Sequence, residues 1–466
     1  MVKALNMKLT EYLFSDKRFY RAFIMLAVPI VIQNFMASAL NLVDNLMIGM
    51  VGSNELSGVG QANQYFNILS FILYGLSGGV GIFAAQFWGV QNKKGIIRIV
   101  QIGLGFGGVI SGLFLAAALM IPQSIIGLFT TDHIVISFGS DYLFLVAFSY
   151  PATAVTFVLA AALRSCGQVK IPMYASVSAL LLNSGLNYLF IFGNFGTPKL
   201  GVKGAAIATL IARLVEMGII GVYMLFAKSK LWGDDENKQS EEKKHLFSQF
   251  FQISLPIIIN EALWGAGNTM YAVVFGRIST DAFSAYTVAG TIEKMAWILI
   301  LGIGSACAVL VGQELGAGNK QRAYRYSVRC GLLSVGFGIL VSVALILIAG
   351  PVTSVYHFDE SIIRTAKQLI YVLAGVFVFK SFNYTSICGY FRAGGDTKYC
   401  MFLDIGGIWL ISVPLMLLFG WYLNAPVFLV YLFANFNEII NSVINMVHLR
   451  RKRWMNNINT MKMCSK

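Results

Sequence analysis

Seven polar side chains stand inside otherwise apolar stretches, and their types suit the binding and release of a small cation. Asp44 lies in "NLVDNLMIG", at the far end of an apolar run that begins near Tyr20. A carboxylate is expensive to place in hydrocarbon. Asp44 is 23 residues beyond Arg21, roughly 34 Å along a helix, so toward the outer end of a first span. Two readings are open: an interfacial acid in water, or an acid that loads a cation or proton from outside. Glu261 in "IIINEALWG" is 13 residues into its run, about 20 Å by helical rise and close to mid-membrane. Lys380 in "VFVFKSFNY" stands 12 residues before Arg392, at similar depth. An unpaired lysine there is untenable, so an acid must answer it, and Glu261, Asp404 and Glu438 are the candidates. Asp404 in "FLDIGGIW" is shallower, either a gate or a helix-packing acid. Asn183 and Asn187 in "LLLNSGLNYLF" are four apart and share a helix face. With Thr209 in "GAAIATLIARLVE", they could support a cation or simply join helices.

The elements that carry these residues follow from composition. Of 466 residues, 57% are hydrophobic and 12% charged, with a mean hydropathy of +0.70. That is too little charge to coat a soluble protein. Apolar runs long enough to span hydrocarbon recur throughout, which predicts an all-α polytopic membrane protein and excludes a β-barrel. Residues 1 to 19 are polar and charged, and no cleavage pattern follows, so the first run is expected to remain as a helix. Twelve helices are predicted, at 20–49, 55–85, 97–121, 135–162, 171–194, 203–227, 248–276, 283–313, 324–349, 361–391, 399–421 and 426–449.

The net charge of +14 has a topological reading rather than a nucleic-acid one. With the N-terminus in the cytoplasm, the outer side holds only Lys199, Lys203, Arg277, Arg364 and Lys367. The inner side holds about five times as many basic residues, which places both termini inside. The six cysteines form no CxxC or metal-ligand spacing and receive no chemistry. Arg213 and Glu216, three apart, read as a structural pair, and Glu293 falls near the outer end of helix 8. The polar stretch "KSKLWGDDENKQSEEKKH" divides the chain. The expected parts are an N-terminal six-helix lobe (1–227), a cytoplasmic linker (228–247), a C-terminal six-helix lobe (248–450) and a basic tail (451–466).

The two lobes repeat. Pro29 in "LAVPIVIQN" matches Pro256 in "SLPIIINEA", 227 positions on. The same register pairs Gly49 with Gly276, Gly75 with Gly302 and Gln86 with Gln313, so that "AQFWGVQNKK" answers "GQELGAGNKQ". Further on, "LRSCGQVK" answers "FRAGGDTK". Six helices per half make parallel repeats, expected to enclose a central cleft that opens to alternate sides. Glu293 could then line the cleft mouth. No phosphate loop, HExxH or catalytic triad is present, so an enzyme is not expected and an ion gradient is the expected energy source.

The ordered set "LAVPIVIQN", "NLVDNLMIG", "AQFWGVQNKK" and "RAGGDTK" resembles the multidrug and toxic compound extrusion (MATE) family, over nearly all of residues 20 to 450. It is most similar to the bacterial branch related to DNA-damage-inducible efflux proteins. The resemblance implies export of organic cations or drugs in exchange for H+ or Na+, with no cofactor, by a monomer in the plasma membrane. It matches Asp44 to the family's first-helix acid and Glu261 to its helix-7 acid, the two implied coupling residues. It places polar partners at Asn183, Asn187 and Thr209. Many relatives carry Asp where Asn187 stands, so a two-carboxylate site in the first lobe is in doubt. A lipid-linked sugar flippase of the same superfamily is the alternative, set against by twelve helices instead of about fourteen and by the prominent acids. A membrane sensor or enzyme would need a soluble domain or catalytic cluster.

Overall fold

The computed structural model describes residues 16–226, 240–354 and 358–457, without the side chains of 40, 41 and 240–244. Lys3, Lys8, linker residues 228–239 and Cys464 lie outside the described residues. Among those described, every regular element is helical, and twelve helices are long and apolar enough to cross a membrane. In chain order they are α1 Lys17–Gly49, α2 Ser53–Gly89, α3 Lys93–Met120, α4 His133–Ser165, α5 Lys170–Phe192, α6 Val202–Phe226, α7 Ser240–Ile278, α8 Thr280–Gly316, α9 Lys320–Thr353, α10 Glu360–Phe391, α11 Thr397–Tyr422 and α12 Val427–Arg451. The chain is thus a multi-pass membrane protein. The largest departure from the expected boundaries is α7, which starts at Ser240 rather than 248. Its "SEEKKH" opening is rich in good helix formers and carries the helix past the apolar run.

The helix ends are set by local chemistry. The Asn92 side chain accepts from Gly95 N–H at 2.9 Å to cap α3, and Ser279 accepts from Ala282 N–H at 3.0 Å to cap α8. The repeat is visible in the turns. Gln91 and Gly318, in register across the halves, both take positive φ, 56° and 81°. Gly167 and Gly395 do the same at 81° and 74°. These are the left-handed residues that end a helix, a conformation glycine adopts without strain.

Two compact units emerge, and neither coincides with one half of the chain. One holds the described residues between 32 and 258, the other those up to Val31 together with those from 259 onward. The divisions fall two residues after Pro29 and Pro256, each inside its helix. Each proline lacks the N–H of an intrahelical bond and clashes with the carbonyl of the preceding turn, so the helix is weakest there.

Three helices of the second unit are irregular. Residues Thr385–Phe391 at the end of α10 are π-helical, as are Gly407–Ser412 and Leu418–Tyr422 of α11. α12 breaks at Asn435. Widened turns of this kind are uncommon and tend to collect at functional sites.

Candidate functional site

In the unit of residues 32–258, four of the predicted residues come together. α1 supplies Asp44, α5 supplies Asn183 and Asn187, and α6 supplies Thr209. The Asn187 amide donates to Asp44 Oδ1 at 2.9 Å. The Asn183 amide, oriented as its partners require, donates to Asp44 Oδ2 at 2.7 Å. Its oxygen then accepts from the Thr209 hydroxyl at 3.3 Å and the Thr209 N–H at 3.2 Å. Both asparagines are buried, and Asn187 Oδ1 has no hydrogen-bond partner among the described residues. The i, i+4 spacing aims both amides at one carboxylate. Arg213, one turn beyond Thr209, is held by Glu216 at 2.9 Å, the structural pair that the spacing suggested. The carboxylate therefore receives its hydrogen bonds from neutral amides, and the unfilled Asn187 oxygen sits beside it.

The approach of α6 to α5 depends on Gly204. A Cβ there would lie 2.6 Å from the Phe190 carbonyl oxygen and 2.7 Å from its carbon. Both are backbone atoms, so they cannot swing aside, and only a glycine lets the helices close enough for Thr209 to reach Asn183.

The other unit does not gather Glu261, Lys380 and Asp404 into one cluster; each has its own partner. Glu261 accepts from Arg392, at the inner end of α10, at 2.8 Å. Asp404 accepts from the Asn260 amide at 3.0 Å. Lys380 pairs with Glu293, and not with Glu261, Asp404 or Glu438 as the depth count suggested. Glu293 also accepts from the Tyr431 hydroxyl at 3.0 Å and the Trp297 indole at 3.4 Å. Three donors on one largely buried carboxylate, 17% exposed, meet the condition for a stable ion pair out of water, in which the remaining lone pairs must be satisfied. Glu438 instead accepts from the Asn383 amide at 2.8 Å.

Sequence reasoning named Glu438 but missed Arg392 as the partner of Glu261 and the other inward-facing polar residues of α12. The signal was present: in "FNEIINSVINMVHLRR" the polar residues recur every three or four positions, the period of one helix face. The five described cysteines are free thiols, and among the described residues no group of His, Cys, Asp and Glu could hold a metal ion.

The MatE family profile matches residues 29–189 and 256–418, once in each half and over more than half of the chain. The chain belongs to the MatE family. Membership makes it a transport protein rather than an enzyme. Among curated relatives, a protein named probable multidrug resistance protein NorM from Thermotoga maritima is 26% identical over 395 residues, covering 84% of this chain and 83% of its own length. Multidrug resistance protein PmpM of Pseudomonas aeruginosa is 24% identical over 392 residues, covering 84% of this chain and 81% of its own. Among solved structures, a crystal structure of MATE in the bent conformation superposes with a TM-score of 0.85 at 19% identity, over 94% of this chain and 96% of that one. The MatE profile begins at Pro29 and restarts at Pro256, the positions that open the repeat and lie beside the unit divisions.

Proposed function

We propose that this MatE protein is a secondary antiporter that exports organic cations or related drugs across the plasma membrane in exchange for H+ or Na+. The names of the relatives in Thermotoga maritima and Pseudomonas aeruginosa support the drug class. The geometry around Asp44 supports the coupling. A carboxylate in a membrane span, hydrogen-bonded to two amides and not to a base, carries a negative charge that a cation would neutralise. A proton or a sodium ion can do this, and Asn187 Oδ1 offers a further oxygen ligand for the latter. Loading Asp44 from one side and releasing to the other couples the ion gradient to export. Glu261 is the proposed counterpart in the other unit. Its ion pair with Arg392 means that a cation binds there by displacing the guanidinium. Asn183, Asn187 and Thr209 position the Asp44 carboxylate, and Lys380 and Asp404 tune the charge of the second unit. A monomer with both termini in the cytoplasm and no cofactor completes the reading.

The test is efflux of a fluorescent organic cation from liposomes containing the purified protein, under a proton or a sodium gradient in turn. Transport driven by one gradient and reduced at least about tenfold in Asp44→Asn is expected, since one transport-coupled charge is lost. Equal transport and an unchanged ion dependence in Asp44→Asn would remove that residue from the mechanism. No transport under either gradient would remove the antiport reading.

A further inference from the structure

The inner half of α12 is polar on the face that turns into the protein. Glu438, Asn441, Ser442, Asn445 and His448 are linked by three- and four-residue spacings and so share a face. Asn441, Ser442 and Asn445 are at most 6% exposed, whereas Val443, Ile444, Met446 and Val447 are 40% to 62% exposed. Polar groups at membrane depth face the protein interior or a watery path.

Hydrogen bonds join this face to α10 and α11. The Asn383 amide donates to Glu438 Oε2 at 2.8 Å, and Asn383 Oδ1 accepts from Ser442 Oγ at 3.1 Å and Asn445 Nδ2 at 3.0 Å. The Tyr399 hydroxyl donates to Asn445 Oδ1 at 3.1 Å. The Tyr399 ring stacks on His448 with centroids 3.8 Å apart and planes at 17°. His448 Nε2 lies 2.8 Å from Asp396 Oδ2, in the turn between α10 and α11. The track therefore leads from the half-buried Glu438 carboxyl group to a His–Asp pair at the end of the helices. The π-helical turn of α10 begins two residues after Asn383. On α11, a Cβ at Gly407 would come within 2.7 Å of Asn441 Nδ2, so this glycine leaves room for the amide.

We propose that this track is the inner proton route of its unit, with Glu438 holding the proton and His448, oriented by Asp396, exchanging it with the water at that end. The proposal rests on the proton branch of the antiport reading. Glu438 as a carboxylic acid gives its proton to a water molecule and becomes a carboxylate. Water carries the proton along the amides, because an amide donates a hydrogen bond without surrendering its proton. The neutral His448 imidazole takes up the proton, becomes imidazolium, and releases it to bulk water. Plain helix–helix hydrogen bonding would require neither the acid at one end nor the His–Asp pair at the other.

Charges face the track from each helix packed on it. α8 presents Glu293, paired with Lys380 of α10. α7 presents Glu261, paired with Arg392 of α10. α11 presents Asp404, on which the Glu438 charge acts, and Tyr399. Arg450 and Arg451 close the inner end of α12 itself.

The experiment uses the full chain in liposomes loaded with a pH-sensitive dye, and ethidium as the cation. Proton flux driven by an ethidium gradient is compared for the wild type, His448→Ala, Tyr399→Phe and Glu438→Gln, with ethidium affinity measured in detergent. The route predicts a fall on the order of tenfold in His448→Ala, with ethidium affinity unchanged and flux restored by imidazole in the medium. Glu438→Gln is expected to lose proton flux without rescue, and Tyr399→Phe to fall less. Wild-type flux in both His448→Ala and Glu438→Gln would overturn the route and leave antiport standing. A loss in His448→Ala that imidazole does not restore would also overturn it, as a structural role. A wild type that exchanges ethidium without moving protons would remove the proton reading and the route together.

Discussion

Lys380 illustrates how far a single residue can be read. Its chemistry required an acid, and the acid is there. The partner was misjudged because depth was counted from a helix end. α8 has 37 residues, about 55 Å at the helical rise, well beyond the roughly 30 Å of hydrocarbon, so counting from its end does not fix the depth of Glu293. Removing one member leaves a buried charge unanswered. Lys380→Met alone is expected to cost about 3–5 kcal/mol, and adding Glu293→Gln should return most of it. Thermal unfolding in detergent checks this, and equal losses in the single and double variants would contradict it. Asp44 with its two amides was the most legible site, since four-residue spacing fixes a shared face. Which oxygen each amide meets was not legible, because that depends on how α1, α5 and α6 pack.

Asp16, just before α1, carries a pH dependence of stability. Burial pushes its carboxyl up, but hydrogen bonds from Arg329, at 2.7 Å, and from Phe19 N–H, with the Arg329 charge, outweigh this and hold it below the usual range. A depressed acid stabilises the folded state fully above its unfolded pKa, about 3.9, and loses that contribution as pH falls through the lower folded value. The melting temperature of the wild type should therefore exceed that of Asp16→Asn at neutral pH. The gap should shrink below about pH 4. A gap that does not change with pH would show that Asp16 acts through packing alone.

At the scale of elements, helix existence and length were legible because apolar runs bounded by charge or turn residues leave few alternatives. The π-helical turns and the break at Asn435 were not, since widened turns leave no mark in hydropathy. The close contact of α5 and α6 depends on Gly204, while Gly221 on the same helix has open space around its Cα. Alanine raises helix propensity by about 1 kcal/mol at either position. At Gly204 the clash with Phe190 should reverse this, for a net loss of about 1–2 kcal/mol. Gly204→Ala should also weaken cation coupling through Thr209, and Gly221→Ala should not. Melting temperature and gradient-driven efflux of the two variants, measured side by side, decide the matter.

At the scale of the molecule, the repeat was the clearest signal, and the turns at Gln91 and Gly318 bear it out in the backbone. What the linker could not reveal is that contacts, not chain continuity, define a compact unit. Residues 17–31 precede the linker yet belong with residues 259–466, and residues 240–258 follow it yet belong with the first half. A gene cut within residues 228–239 would encode two polypeptides, each carrying a segment the other needs and lacking one of its own. Expressed alone, each should be degraded. Expressed together from separate promoters, the two should accumulate, co-purify and restore drug resistance to a sensitive host, as a two-piece protein whose parts complement each other by exchanging half-helices.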